Sequence, residues 1–122
     1  MLKVELLQDR GVAVLTPQGK LEASDFERAG REIDPFIETH EGLNGLIVHT
    51  KTFPGWADFS TFVKHIQFIK NHHRKIRRVA IVSDGEILKI VPAIAQHFAA
   101  AEIRQFPFAE IDRALAWSET GQ

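Results

Sequence analysis

Leu46-Ile47-Val48 is a short unbroken apolar run, closed by His49 and preceded by Gly42 and Gly45. Such a run suits a central strand buried on both faces, with helices above and below a parallel sheet. Upstream, the period is helical. Phe26, Ala29 and Ile33 recur at three- and four-residue spacing, and Phe36 and Ile37 continue the same face. Ser24 with Glu27 three residues later has capping-box spacing, so hydroxyl and carboxylate are expected to satisfy free amides at the helix start. Pro35 is expected to kink or restart this helix, because it lacks an N–H and crowds the carbonyl four residues back.

Further upstream, Leu2, Val4 and Leu6 alternate with Lys3 and Glu5, the period-two signature of a half-buried strand. Gln8-Asp9-Arg10-Gly11 reads as a turn and Val12-Ala13-Val14-Leu15-Thr16 as the returning strand. Strands joined this closely pair antiparallel, since a parallel crossover needs about a dozen residues or more. Downstream, Phe59, Phe62, Val63, Ile66 and Ile69 form one helical stripe, and Val79-Ala80-Ile81-Val82 repeats the buried-strand pattern. Ser83-Asp84-Gly85-Glu86 then opens a third helix, whose face is Ile87, Ile90, Val91, Ile94 and Phe98, with Pro92 inside it. Ala101 to Phe106 is a weaker strand, and Ile111, Ala114 and Leu115 mark a terminal helix with Trp117 near its end.

The expected order is β-β-α-β-α-β-α-β-α. Alternating strands and helices require crossovers, so the later strands are parallel and flanked by helices. The fold class is α/β: one domain over residues 1–122, with a mixed, mostly parallel sheet that begins in an antiparallel hairpin. The 122 residues fit one domain, and no repeat, linker or low-complexity segment divides them.

Composition removes several function classes. Hydrophobic residues make up 44% and charged residues 25%, which is the balance of a folded domain rather than a disordered chain. A formal net charge of -1 gives no global attraction to nucleic acid or to anionic membranes. Without cysteine there is no disulfide framework, thiolate catalysis or cysteine-based metal site. Charges at Lys3 and Glu5 leave no signal-peptide apolar region, and no stretch reaches the roughly 20 apolar residues of a membrane span. These features lead to the expectation of a cytoplasmic protein.

The search for catalytic motifs is negative for nucleophile elbows, phosphate loops, dinucleotide fingerprints and zinc-protease helices. Six histidines do not make a metal site. His65 and His72 share a helix face about 10 Å apart, and the adjacent His72 and His73 point about 100° apart. His40 and His97 fall near helix ends. No metal and no cofactor is therefore expected.

His49 is different. It ends a central strand, and in open α/β sheets ligands bind beyond the carboxyl ends of strands. The loop that follows, Thr50-Lys51-Thr52-Phe53-Pro54-Gly55-Trp56, combines a cation, hydroxyls and aromatics, while Ser83 and Asp84 end the other central strand on the same edge. A crevice of His49, Lys51, Trp56, Ser83 and Asp84 is the candidate binding site. The plainer alternative is that Phe53 and Trp56 plug the end of the core while Ser83 or Asp84 caps a helix.

Two further features carry weaker signals. Lys70-Asn71-His72-His73-Arg74-Lys75-Ile76-Arg77-Arg78 places five cations in nine positions, suited to phosphate, an acidic partner or peripheral contact with an anionic membrane. It equally suits a solvated helix end, and it has no interleaved aromatics for stacking bases. Nucleic acid is therefore not an expected partner. Pro92 would open a gap for an apolar ligand, or merely bend its helix around the core. Phe62, Phe68, Phe98, Phe106 and Phe108 would line that gap or fill it.

Four segments in register also carry a resemblance. Gly19-Lys20-Leu21-Glu22-Ala23-Ser24-Asp25-Phe26, Phe53-Pro54-Gly55-Trp56, Arg78-Val79-Ala80-Ile81-Val82-Ser83-Asp84 and Ala114-Leu115-Ala116-Trp117 resemble the SpoIIAA-like family, small bacterial proteins related to STAS domains. The resemblance implies a mixed sheet packed by helices and action by binding, to a protein partner or small ligand. Anti-sigma antagonists of the STAS group are switched by phosphorylation of a serine in an Asp-Ser-Ser-like motif at the start of the second helix. Trp56-Ala57-Asp58-Phe59-Ser60 occupies that stretch here without the motif: Asp58 falls near the switch position and Ser60 slightly late. The expected function is a non-enzymatic regulatory or binding module, possessing an edge with Lys51, Phe53, Trp56, Asp58 and Ser83, and capable of forming a homodimer. The alternatives are a carrier for an apolar ligand or lipid beside the Pro92 helix, and an enzyme using His49 as general base with Asp84 or Lys51.

Overall fold

The chain opens with the strand β1 (Leu2–Leu7), turns through Gln8–Gly11, and returns as β2 (Val12–Pro17) in an antiparallel hairpin with Leu2 opposite Pro17 and Leu7 opposite Val12. This is a computed structural model, and it describes residues 2–18, 22–51, 76–84 and 101–121. Gly11 has a left-handed φ of 67°, and a Cβ there would lie 2.7 Å from Asn44 Nδ2. Both facts require glycine. Asn44 holds the turn from outside, donating its side-chain amide to the Arg10 carbonyl and its backbone N–H to the Gly11 carbonyl.

The helix α1 (Ala23–His40) joins β2 to β3 (Gly45–His49). Its start differs from the expected Ser24–Glu27 pair. Glu22 is the N-cap, and the Asp25 carboxylate accepts the Glu22 backbone N–H at 2.9 Å. The short acidic side chain sits within the first turn, among amides that have no helical partner, where negative charge is favoured. Pro35 neither ends nor restarts α1, which runs through it as a single 18-residue helix. Pro35 is exposed while Ala29, Ile33, Phe36 and Ile37 are buried, so packing of that face holds the helix despite the missing N–H. The left-handed exit residue is Glu41 (φ 59°) rather than a glycine, with Gly42 following it and donating to the Ile37 carbonyl.

The strands β4 (Arg78–Val82) and β5 (Glu102–Phe106) complete a five-stranded sheet in the order β1-β2-β3-β4-β5. Every pairing after the hairpin is parallel, in agreement with the sequence reading. A single 3₁₀ turn (Phe108–Glu110) leads into α2 (Ile111–Thr120), which ends at Gly121 with φ 84°. The helices expected from Phe59 to Ile69 and from Glu86 to Phe98, with Pro92, lie outside the described residues.

Alternation along each strand divides the core in two. On one face Leu2, Ala13, Leu15, Leu46, Val48, Val79 and Ile81 pack with Ala29, Ile33, Phe36 and Ile37 of α1. On the other, Val12, Val14, Ile47, Ala80, Val82 and Phe106 pack with Ala114 and Trp117 of α2. Among the described residues, α1 covers the first face and α2 the second. The contact with α2 is close. A Cβ on Gly45 would stand 2.4 Å from Ser118 Cβ, so the second face requires glycine at the head of β3. Phe106 belongs to this face, buried against Trp117 with ring centroids 5.8 Å apart, as ordinary core. Its register beside Val82 decides its direction.

Candidate functional site

The carboxyl ends of β3 and β4 meet as the sequence predicts, and they are tied there by backbone bonds. Thr50 N–H donates to the Val82 carbonyl at 3.1 Å and Asp84 N–H to the Lys51 carbonyl at 3.0 Å. The two chain segments therefore continue side by side past the end of the sheet. Lys51 and Asp84 are exposed, His49 is half-buried and Ser83 is fully buried.

Ser83 is a structural part of this edge. Its hydroxyl lies 3.2 Å from the Lys51 carbonyl and 3.1 Å from the Asp84 carbonyl, either of which can accept its proton. Its backbone N–H donates to the Phe106 carbonyl, and its own carbonyl accepts from the Gln105 side chain at 3.0 Å. Every polar group is paired, as burial demands. Among the described residues the hydroxyl does not cap a helix.

Phe108 organises the other half. Its ring stacks on His49, with centroids 4.4 Å apart and planes 18° from parallel. Its carbonyl lies 3.4 Å from His49 Nε2, and its N–H donates to Asp84 Oδ1 at 3.1 Å. His49 and Asp84 are thus brought to the same edge but not to each other: the Phe108 backbone stands between them. Sequence reasoning placed Phe108 only among possible core or cavity aromatics. The available signal was its position, immediately after Pro107 where the last strand leaves the sheet.

Phe53, Trp56, Asp58 and Ser60 lie outside the described residues, as does the basic run from Lys70 to Lys75. The end of that run is described. Ile76 is buried in a bridge with Leu43, Arg77 is exposed, and Arg78 starts β4 with its guanidinium against Gly121 at the end of α2. A cation is favourable beside the carbonyls of a helix C-terminus.

From His49 a groove of about 500 Å³ runs across the α2 face. Leu7, Val14, Ile111 and Leu115 give it apolar walls, and Lys3, Glu5 and Thr16 make its outer lip. Here α2 packs mainly on β3 and β4 among the described residues, and the β1–β2 hairpin forms the other side of the groove. Among the described residues no group of three His, Asp or Glu side chains could hold a metal, and no helix is long and apolar enough to cross a membrane.

The family model described as SpoIIAA-like matches residues 12–119. No curated protein and no solved structure matches the chain.

Proposed function

The chain belongs to the SpoIIAA-like family, and from that premise we propose that it is a non-enzymatic, STAS-like binding module that presents the carboxyl edge of its sheet to a protein partner. The observation that carries this reading is that an exposed cation and an exposed carboxylate, Lys51 and Asp84, stand on two neighbouring segments joined by backbone bonds and held by Ser83 and Phe108. A recognition surface gains affinity when its polar groups are held in place before binding. In the sequence Lys51 is followed within five residues by Phe53 and Trp56, aromatic residues of the kind enriched at interfaces. Signalling by serine phosphorylation is not part of the proposal, because Trp56-Ala57-Asp58-Phe59-Ser60 lacks the Asp-Ser-Ser-like pattern. Nor is catalysis. The Nε2 of His49 faces a carbonyl and Asp84 accepts an amide, so both groups are engaged in holding the edge.

The groove beside His49 supports a second reading, in which the bound species is a small amphiphilic ligand. Its volume falls within the roughly 300–1,000 Å³ of small-molecule sites, and its lining is mixed, with apolar Leu7, Val14, Ile111 and Leu115 beside polar groups that include Lys3, Arg10 and His49. Native mass spectrometry of the freshly purified full chain, repeated after denaturation, separates the readings. A small mass excess lost on denaturation supports the ligand. A bare subunit mass leaves the protein-docking reading ahead.

A further inference from the structure

The two edges of the sheet are treated differently by the fold. At the β1 edge, α1 sends Arg28 across to the Leu2 carbonyl, so a side chain covers part of the strand. At the β5 edge the alternation of hydrogen bonds is fixed by two contacts. Glu102 N–H donates to the Arg77 carbonyl, and the Phe106 carbonyl accepts from Ser83 N–H. With the register Arg78 to Glu102 and Val82 to Phe106, residues 102, 104 and 106 direct their backbone groups at β4. Ile103 and Gln105 therefore direct N–H and C=O away from the sheet. Among the described residues nothing pairs with them. Unpaired edge groups of this kind are a template for another strand.

The side chains of this edge are complementary to themselves. Glu102 and Arg104 are both exposed and lie on the same face, on either side of Ile103. From this geometry we infer that β5 is a self-association edge, pairing antiparallel with β5 of a second copy around a two-fold axis at Ile103. In that register Ile103 faces Ile103 of the second copy, and their outward N–H and C=O groups exchange two hydrogen bonds. Glu102 then stands opposite Arg104 of the second copy, and Arg104 opposite its Glu102. Both unlike-charge pairs form together because the axis passes between them. On the opposite face the two half-buried Ile103 side chains meet and extend the α1-side core across the axis. The result is a continuous ten-stranded sheet with an isologous interface. This inference does not depend on the proposed function, since the carboxyl edge and the groove beside His49 stay open in such a dimer.

One short strand pair buries less than a standard interface, so the dimer is a weak one, with a dissociation constant on the order of micromolar. Sedimentation velocity of the full chain across a concentration series tests it. The expected result is a shift from the 13.8 kDa subunit toward twice that mass. Arg104→Glu places like charges opposite each other and is expected to weaken dimerisation about ten-fold or more. The double variant Glu102→Arg with Arg104→Glu restores the unlike pairs and should restore the dimer. Both variants lose the Arg104 guanidinium over the Phe106 ring, so that contact cannot explain a difference between them. Amide exchange in the unmodified protein gives a readout that needs no variant: Ile103 and Gln105 should gain protection as concentration rises. A monomer at every concentration overturns the inference, as does a dimer indifferent to the charge reversal or one without new protection at Ile103.

Discussion

The two faces of the sheet are built by different means. Among the described residues the α1 face is a mainly aliphatic layer, with Leu15, Ile33, Ile37, Leu46 and Ile81 all buried beside the single ring of Phe36. The α2 face is held by particular contacts: Gly45 under Ser118, Phe106 beside Trp117, and Phe108 stacked on His49. An aliphatic layer tolerates exchange of one side chain for another of similar volume. A face built on one glycine and a few aromatic contacts does not. The candidate site is attached to the second kind of face, which makes its geometry dependent on where α2 lies.

The largest expected effect comes from breaking the closest contact of the α2 face. Gly45→Ala puts a methyl group into Ser118 and is expected to cost about 1–3 kcal/mol in denaturant unfolding, as overpacking does. A volume-conserving exchange on the α1 face, Leu46→Ile, should cost less than about 1.5 kcal/mol. If the two variants are equally unstable, the contrast between the faces fails. A smaller effect is expected where α2 meets the carboxyl edge. Asp84→Ala leaves the Phe108 N–H without its acceptor and should cost about 1 kcal/mol, with faster amide exchange at Phe108 than at Trp117.

The smallest effect belongs to the α1 side. The Glu22 backbone N–H holds the Asp25 carboxyl below the usual carboxylate range, helped by the Leu2 backbone and Arg28 and opposed by desolvation. The folded protein therefore binds the Asp25 proton less readily than the unfolded chain does. This contribution to stability is present above the ordinary carboxylate pKa and is lost as pH falls through the lowered one. Asp25→Asn should flatten the acid limb of the stability profile slightly and leave it unchanged at neutral pH relative to its own plateau. An unchanged acid limb would remove Asp25 from the account of the α1 start.

Much of this contrast was legible in the sequence, though unequally. Period-two alternation from Leu2 to Leu6, helical spacing from Ala29 to Ile37, and the apolar runs at Leu46–Val48 and Val79–Val82 each announce their element locally. They are the parts whose burial is aliphatic and repeated. Gly45 was legible only as punctuation after a helix, because the residue that requires it, Ser118, is distant in sequence. The N-cap at Glu22 was missed for a different reason. Ser24–Glu27 and Glu22–Asp25 both satisfy capping spacing, and only the path of the chain into α1 chooses between them.

At the site, the meeting of His49, Lys51, Ser83 and Asp84 followed from strand ends in a parallel sheet, which is topology that the sequence pattern specifies. The role of Phe108 did not follow. A stacked ring and two backbone bonds depend on how the chain turns after Pro107, and no local pattern encodes that turn. Ser83 illustrates the same limit from the other side. It was legible as a polar residue at a strand end, but its burial and its bonds to Lys51 and Asp84 come from the neighbouring segment.

The central claim is that the carboxyl edge binds through the exposed cation of Lys51 and that folding does not need that charge. The most direct measurement captures whatever the tagged full chain binds in cells, identifies it by mass spectrometry, and repeats the capture with Lys51→Glu while recording the melting temperature. The account predicts that a defined species binds the unmodified chain and is lost in Lys51→Glu, with the melting temperature changed by no more than a surface substitution allows. Retention of that species by Lys51→Glu, or its loss in step with a large fall in melting temperature, would contradict the claim.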